Sequence, residues 1–126
     1  MKVLNIVEAA YRGTLEEQDD TVIWICTAMK GAKADIDVLL RGNAVNYAVK
    51  AQDAGGLSFG GREQTQPPKL ADDVIRLKGQ GAKIYVVEDA LRERGIERTE
   101  LIDGLDLISR SRVAKLFGDY DQVWHW

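Results

Sequence analysis

Two reactive side chains are scarce in this 126-residue sequence, which contains one cysteine and one histidine. Because Cys26 stands alone, an intrachain disulfide cannot form, and a zinc site built from cysteines is strongly disfavoured. His125 is the sole histidine, so an intrachain Ser-His-Asp triad would have to take it from the last predicted strand. We therefore expect neither a metal site nor a cofactor.

Long apolar runs and an excess of positive charge are also missing. No stretch approaches the roughly 20 apolar residues of a membrane span, and the first residues, MKVLNIVEAAYRG, lack a signal-peptide pattern. The net charge of -3 and a pI near 5.2 give no reason to expect nucleic acid or a membrane as partner. We expect a single domain over residues 1–126, located in the cytoplasm.

Apolar runs of strand length alternate with helical segments along the chain. Strands are predicted within residues 2–8, 34–42, 84–87, 105–109 and 122–126. The segment 21–31, TVIWICTAMKG, is ambiguous, and we interpret it as a helix because Thr14 and Glu17 form a capping box and Gly31 ends it. This alternation predicts a three-layer α/β/α fold with a parallel sheet of about five strands.

Polar residues mark the second predicted strand and the segment that follows it. Apolar residues alternate there with Asp35 and Asp37, which predicts a strand with one polar-leaning face. Asn43 comes directly after this strand, and its side chain is of the type that caps helices. We therefore predict a short helix that Asn43 caps.

A glycine-rich segment and a proline pair lie in the middle of the chain. Residues 53–66 contain four glycines and no apolar periodicity, which predicts a mobile surface flap in which Phe59 closes over a ligand. Pro67 and Pro68 are then predicted to start a helix with one apolar face. The residues of that face are Leu70, Val74, Ile75 and Leu77.

Polar and charged residues follow the carboxyl ends of the predicted strands. Ligands of open α/β sheets bind at that edge, so we interpret it as the candidate site, without assigning a catalytic residue. The candidate ligand-binding residues are Glu8, Tyr11, Arg12, Arg41, Asn43, Val87, Glu88 and Ser109. The alternative interpretation is that buried strands simply meet water at these positions.

Two carboxylates at this edge have alternative interpretations. If Glu8 and Glu88 lay side by side, they could serve as acid and base. Arg12, Arg41 and Arg110 offer a simpler interpretation, which we favour, in which the carboxylates form ordinary salt bridges. The same arginines could also bind an anion together with amide groups at helix ends.

Three segments carry a family resemblance: ADIDVLLRGNAV, VIRLKGQGAKIYVVEDALRERGI and LIDGLDLIS. With the order of the elements, they make the chain similar, over nearly its whole length, to the DsrE/DsrF-like family of small sulfur-relay proteins. In members that transfer sulfur, a cysteine stands at the end of the third strand, where a helix N-terminus activates its thiolate. The matching position here is Val87, which cannot carry sulfur.

The resemblance thus implies the fold and a crevice without the family's sulfur chemistry. Our leading interpretation is a non-catalytic DsrE-like protein that binds a small molecule or a partner, as a homo-oligomer or with a related DsrE-like subunit. One alternative is an enzyme that uses Glu8 or Glu88 as an acid–base group on a small substrate. The other is a sulfur carrier that uses Cys26, which we expect to be a buried hydrophobe.

Overall fold

The computed structural model describes residues 1–9, 11, 21–53 and 55–126. In chain order its elements are β1 Lys2–Val7, α1 Thr21–Gly31, β2 Asp35–Leu40, a 3-10 helix Gly42–Ala48, β3 Ser58–Phe59, β4 Arg62–Glu63, α2 Leu70–Gly79, β5 Ile84–Val87, α3 Glu88–Glu93, a 3-10 helix Arg98–Glu100, β6 Asp106–Ile108, α4 Arg110–Phe117 and β7 Gln122–His125. The predicted capping box of Thr14 and Glu17 lies outside the described residues. None of the described helices is long and apolar enough to cross a membrane.

Five strands form one fully parallel sheet in the order β6-β5-β2-β1-β7. The interior strands β1 and β2 are buried along nearly their whole length, as expected for strands that are covered on both faces. Right-handed connections place helices on both faces of such a sheet, and α1 packs against α2. The predicted three-layer α/β/α fold with its five-stranded parallel sheet is confirmed.

The ambiguous segment 21–31 forms the helix α1, as predicted. Its Ile23 and Cys26 are buried in the core, whereas Trp24 is exposed. Burial at a spacing of three residues is typical of a helix with one side against a sheet, and a strand would bury every second residue. The helix interpretation of this segment is therefore confirmed.

The predicted polar-leaning face of the second strand is wrong at Asp37, which is only 3% exposed. Its carboxylate accepts hydrogen bonds from the Lys83 N–H and the Tyr120 hydroxyl, both at 2.7 Å, and lies 3.7 Å from the Lys2 ammonium. Burial raises the pKa of Tyr120, as do its hydrogen bonds with Tyr85 and Asp37. A carboxylate whose oxygens are hydrogen-bonded and paired with a cation is tolerated inside a core. The alternation of polar and apolar residues therefore did not show which face of the strand is exposed to solvent.

Two local predictions near helix starts are also wrong. Asn43 lies inside the 3-10 helix that begins at Gly42, and its side-chain oxygen accepts two hydrogen bonds from Arg94, at 2.8 and 3.2 Å. The helix after the proline pair begins at Leu70, and its Ile75 is 50% exposed, not part of the buried face. The partner of Asn43, Arg94, is 51 positions away in the sequence, and Ile75 faces solvent. Neither fact can be inferred from the local sequence pattern.

The predicted loop contains a short antiparallel hairpin formed by β3 and β4. Gly60 and Gly61 connect the two strands with φ values of +56° and +77°, the left-handed conformation that tight hairpin turns require. Phe59 is 67% exposed at this hairpin. The role of this segment as a flap stays a prediction.

Candidate functional site

The carboxyl ends of the parallel strands meet beside α3 and α4, where they enclose a cavity of about 440 Å³. The described residues that line it are Glu8, Arg41, Gly42, Val87, Ala90, Arg110, Val113, Ala114 and Phe117. We call this the edge cavity. Its position is the one where open α/β sheets bind ligands.

The edge cavity combines an apolar wall with a charged rim. Val87 ends β5, Ala90 belongs to α3, and Val113 and Phe117 lie on α4, so the wall comes from three elements. The charged groups of the rim are Glu8, Arg41 and Arg110. An apolar cavity with a few fixed polar groups is typical of a small-molecule site.

Glu8 is the most constrained charged group of the rim. The Arg41 guanidinium Nη2 donates to both carboxylate oxygens, at 3.3 Å to Oε1 and 3.2 Å to Oε2. The His125 Nε2 lies 2.6 Å from Oε2. The hydrogen bond from Arg41, and then that from His125, lowers the pKa of Glu8 below its ordinary value of 4.5. Glu8 is therefore a fixed carboxylate that is ionised at neutral pH.

Sequence reasoning missed His125, which the sheet order brings to the site. β7 pairs with β1 in a register that places His125 opposite Ile6, and the Trp126 N–H donates to the Ile6 carbonyl at 3.0 Å. The available signal was a lone histidine at the end of a strand. Using it requires knowing that the last strand lies beside the first, which local sequence does not reveal.

The turn after β2 packs closely under Glu8. Gly42 has φ of +55°, and a Cβ atom there would lie 3.3 Å from the Glu8 Cγ. The Ala44 N–H also donates to the Glu8 carbonyl, at 3.2 Å. Glycine at position 42 therefore allows both the left-handed turn and the close approach that hold the Glu8 backbone and side chain in place.

Glu88 reaches the same edge of the sheet but faces a different cavity. That second cavity, of about 580 Å³, is lined by Glu88, Leu91, Arg92, Gly95, Ile96, Glu97, Arg98 and Thr99. Glu88 forms a salt bridge with Arg98 there, while Glu8 pairs with Arg41. Both carboxylates therefore form salt bridges, as predicted, but among the described residues only Arg41 is one of the predicted partners, since Glu88 pairs with Arg98 and Arg110 pairs with Glu93.

The start of α4 is already occupied by a carboxylate. The Arg110 N–H donates to the Asp89 Oδ2 at 2.7 Å, and this hydrogen bond is the main cause that lowers the pKa of Asp89. The Arg110 guanidinium donates to Glu93 at 2.6 Å. An external anion would therefore have to displace protein carboxylates from Arg110 and from this helix end.

The remaining candidate residues lie away from the lining of the edge cavity. Ser109 pairs with Ser111 at 3.1 Å between hydroxyl oxygens, and Asn43 is bound by Arg94. The Tyr11 hydroxyl is buried without a hydrogen-bond partner among the described residues. Arg12 lies outside the described part of the chain.

Neither cysteine chemistry nor a metal centre finds support in the described residues. Cys26 is fully buried within α1, and Val87 occupies the end of β5. Across residues 1–9, 11, 21–53 and 55–126, no three metal-ligating side chains are grouped to hold an ion. What the described residues place at the edge cavity is an apolar wall and a carboxylate, Glu8, that Arg41 and His125 hold.

The fold and the edge cavity define an α/β protein of the class in which a parallel sheet presents a site at its carboxyl edge. The DsrE/DsrF-like family model matches residues 1–125, so the chain belongs to this family, as the resemblance predicted.

Solved structures share this fold at low sequence identity. The ychN protein from E. coli is similar with a TM-score of 0.74 and 17% identity, over 99% of this chain and 98% of that one. MTH1491 from Methanobacterium thermoautotrophicum, a protein of unknown function, is similar with a TM-score of 0.56 and 16% identity, over 97% of this chain and 96% of that one. No curated protein matches the chain.

Proposed function

We propose that this chain is a non-catalytic member of the DsrE/DsrF-like family that binds a small, largely apolar molecule in the edge cavity. The observation that carries the proposal is Val87, which lines this cavity at the position where sulfur-transferring relatives are expected to have their cysteine. An apolar side chain there extends the apolar wall formed by Ala90, Val113 and Phe117. The position therefore favours ligand contact over sulfur transfer.

A sulfur carrier that uses Cys26 is disfavoured by burial. Reactive cysteines need an accessible thiolate in an electropositive setting, and Cys26 is a fully buried core residue of α1.

An acid–base enzyme is disfavoured by the electrostatics of Glu8. The lowered pKa of Glu8 makes it a weak base at neutral pH, whereas efficient general bases have a pKa near the working pH. Glu88 lines the other cavity and is paired there with Arg98.

Assembly is the second part of the proposal. β7 is an edge strand that pairs with β1 on one side; its Val123 is exposed, and so is Trp126, which follows it directly. Edge strands with exposed apolar residues are natural places for another chain to pair. We expect β7 to contact a second copy or a related DsrE-like subunit.

Cytoplasmic residence is also part of the proposal, since a single cysteine provides no disulfide for an oxidising compartment.

Persulfide loading tests the exclusion of sulfur chemistry. Wild-type protein and Cys26→Ser are exposed to a sulfur donor, and their intact masses are measured by mass spectrometry. We expect no added sulfur on either protein. Uptake of one sulfur atom by the wild type and none by Cys26→Ser would establish Cys26 as a carrier and overturn the proposal.

Binding of small aromatic probes tests the cavity itself. Two isomers, 1-methylindole and 3-methylindole, are titrated into isotope-labelled protein while amide NMR shifts are followed. We expect shifts around Val87 and Val113, and their loss in Ala114→Trp, which fills the cavity mouth. Ala51→Trp, at an exposed turn outside the cavity, is the control that should still bind. Absence of binding for both isomers would contradict the proposed function.

A further inference from the structure

We infer that the edge cavity selects neutral apolar ligands that carry an N–H or O–H donor, and that Glu8 is the residue that determines this specificity. The inference rests on the proposed function and adds the chemical class of the ligand. Three properties of the rim support it: the hydrogen-bonding capacity left on Glu8, the pairing of every rim charge, and the rigidity of the carboxylate.

The Glu8 carboxylate has acceptor capacity to spare. An ionised carboxylate offers roughly four lone-pair positions, two on each oxygen. Among the described residues, Oε2 accepts hydrogen bonds from Arg41 and His125, whereas Oε1 accepts one, from Arg41. Glu8 lines the cavity and its side chain is 43% exposed, so a ligand donor can reach the carboxylate. A ligand that covers Glu8 without donating a hydrogen bond displaces water from the carboxylate and leaves that hydrogen bond unreplaced.

The charges of the rim are already paired, which favours a neutral ligand. Glu8 is balanced by Arg41 at 3.2 Å, and Arg110 is balanced by Glu93 at 2.6 Å. A cationic ligand would meet the two guanidinium groups, and an anionic ligand would meet Glu8. An ion of either sign would therefore have to break one of these pairs, while a neutral donor can add to them.

The carboxylate is held by groups from three strands, so its position does not depend on the ligand. Glu8 follows β1, Arg41 follows β2, and His125 ends β7, while Gly42 packs against the Glu8 side chain. A preorganised acceptor loses little side-chain entropy when a ligand binds. His125 and Arg41 are thus positioning residues for Glu8, and the contact with the ligand belongs to Glu8.

Two isomeric probes separate the donor from the apolar body. The isomers 1-methylindole and 3-methylindole have the same atoms and nearly the same apolar surface, but only the 3-methyl isomer keeps the ring N–H. NMR titration gives the dissociation constant of each. We expect the wild type to bind 3-methylindole on the order of tenfold more tightly, the effect of one hydrogen bond to a charged, partly exposed acceptor.

Variants then assign the discrimination to Glu8. In Glu8→Leu, which removes the acceptor at similar size, the two isomers should bind with nearly equal affinity. Glu88→Leu, which removes a carboxylate from the second cavity, should keep the wild-type preference. The ratio in the wild type needs no variant, so the inference stays testable if Glu8→Leu folds poorly.

The possible results distinguish this inference from the proposed function. Equal binding of both isomers by the wild type would overturn the donor specificity and leave the ligand-binding proposal standing. An unchanged preference in Glu8→Leu would overturn the role of Glu8. Failure of both isomers to bind would overturn the proposed function, and this inference with it.

Discussion

Glu8 shows how one side chain acquires a role from neighbours that are far apart in sequence. The sequence around it gives an acidic residue after a strand, which is common in any α/β protein. Its distinctive properties come from Arg41 and His125, which are 33 and 117 positions away. The lowered pKa of Glu8 is the measurable consequence of that convergence.

The substitution Glu8→Gln should therefore destabilise the protein in a pH-dependent way. Because the folded-state pKa of Glu8 is lowered, its charge stabilises the fold above the ordinary value of 4.5. That contribution is lost as the pH falls through the lowered folded-state value. Since the side chain is 43% exposed, we expect a loss below about 1 kcal/mol in the free energy of unfolding at neutral pH.

Urea unfolding at pH 7 and at values below 4.5 measures this effect for the wild type and Glu8→Gln. The difference between the two proteins should shrink as the pH falls. Glu63→Gln removes an exposed carboxylate in β4 and serves as the control, with no comparable difference expected. A difference for Glu8→Gln that stayed constant over the whole pH range would contradict the assigned role of the charge.

At the scale of elements, the turn between β2 and its 3-10 helix positions the rim of the cavity. Arg41 follows the strand in an extended conformation, and Gly42 then turns the chain in the left-handed region. This reversal lets the helix Gly42–Ala48 begin beneath Glu8 instead of continuing outward. A residue with a Cβ atom would be strained there both by its φ angle and by contact with Glu8.

We expect Gly42→Ala to lower the free energy of unfolding by about 1–2 kcal/mol, because of the left-handed φ and the 3.3 Å contact with Glu8. Thermal unfolding measures the loss. Gly31→Ala is the matched control, since Gly31 ends α1 and a Cβ atom there meets no other atom within 4 Å. Equal stability of Gly42→Ala and the wild type would show that the turn relaxes without cost.

Local pattern was sufficient for the elements whose burial is regular. The strands Ile84–Val87 and Gln122–His125 and the helix Thr21–Gly31 were predicted from apolar runs and helix-ending glycine. The run Ile84–Val87 identifies a parallel strand because both of its faces are largely buried, whereas Gln122–His125 is an exception, since it is mostly exposed. The hairpin around Gly60 was missed because its two-residue strands are too short and too exposed to show a period.

The site was predictable only in outline. A parallel sheet must collect its strand ends at one edge, so Glu8, Arg41 and Val87 were found as neighbours of the cavity. The partners of each group were not predictable, because Arg98, His125 and Arg94 come from elements whose contacts depend on the complete fold. Phe117 and Val113 were missed as well, since cavity-lining apolar residues look like any other core residue in sequence.

At the scale of the whole molecule, β7 forms one border of the sheet and also supplies His125, which contacts Glu8 at the site. β7 contains the exposed Val123 and ends at His125, and the exposed Trp126 follows it. Buried Asn5 accepts a hydrogen bond from the Trp126 indole at 3.1 Å, so the strand is held by side chains as well as by its backbone. Pairing of another chain along β7 would therefore occur next to the edge cavity.

If the protein assembles through this edge, sedimentation at micromolar concentration should give a mass above the 14.0 kDa of one chain. Val123→Lys places a charge on the free edge and should shift the population toward the single chain. Ile75→Lys changes another exposed apolar residue, on α2, and should have no such effect. A single-chain mass for the wild type would count decisively against the homo-oligomer.

The neighbouring positions of β1 and β7 also impose an order on folding. Glu8 and Arg41 are 33 positions apart in the sequence, whereas the Lys2 N–H and the Asp121 carboxylate are separated by 119 positions. Because closing a longer loop costs more entropy and long-range pairings form slowly, β7 should dock late onto a preformed core. Until it docks, β1 exposes an unpaired edge, and Glu8 has only one of its two side-chain partners. We therefore expect the partners of Glu8 to be completed late in folding, and the same open edge to be where two half-folded chains would misassociate.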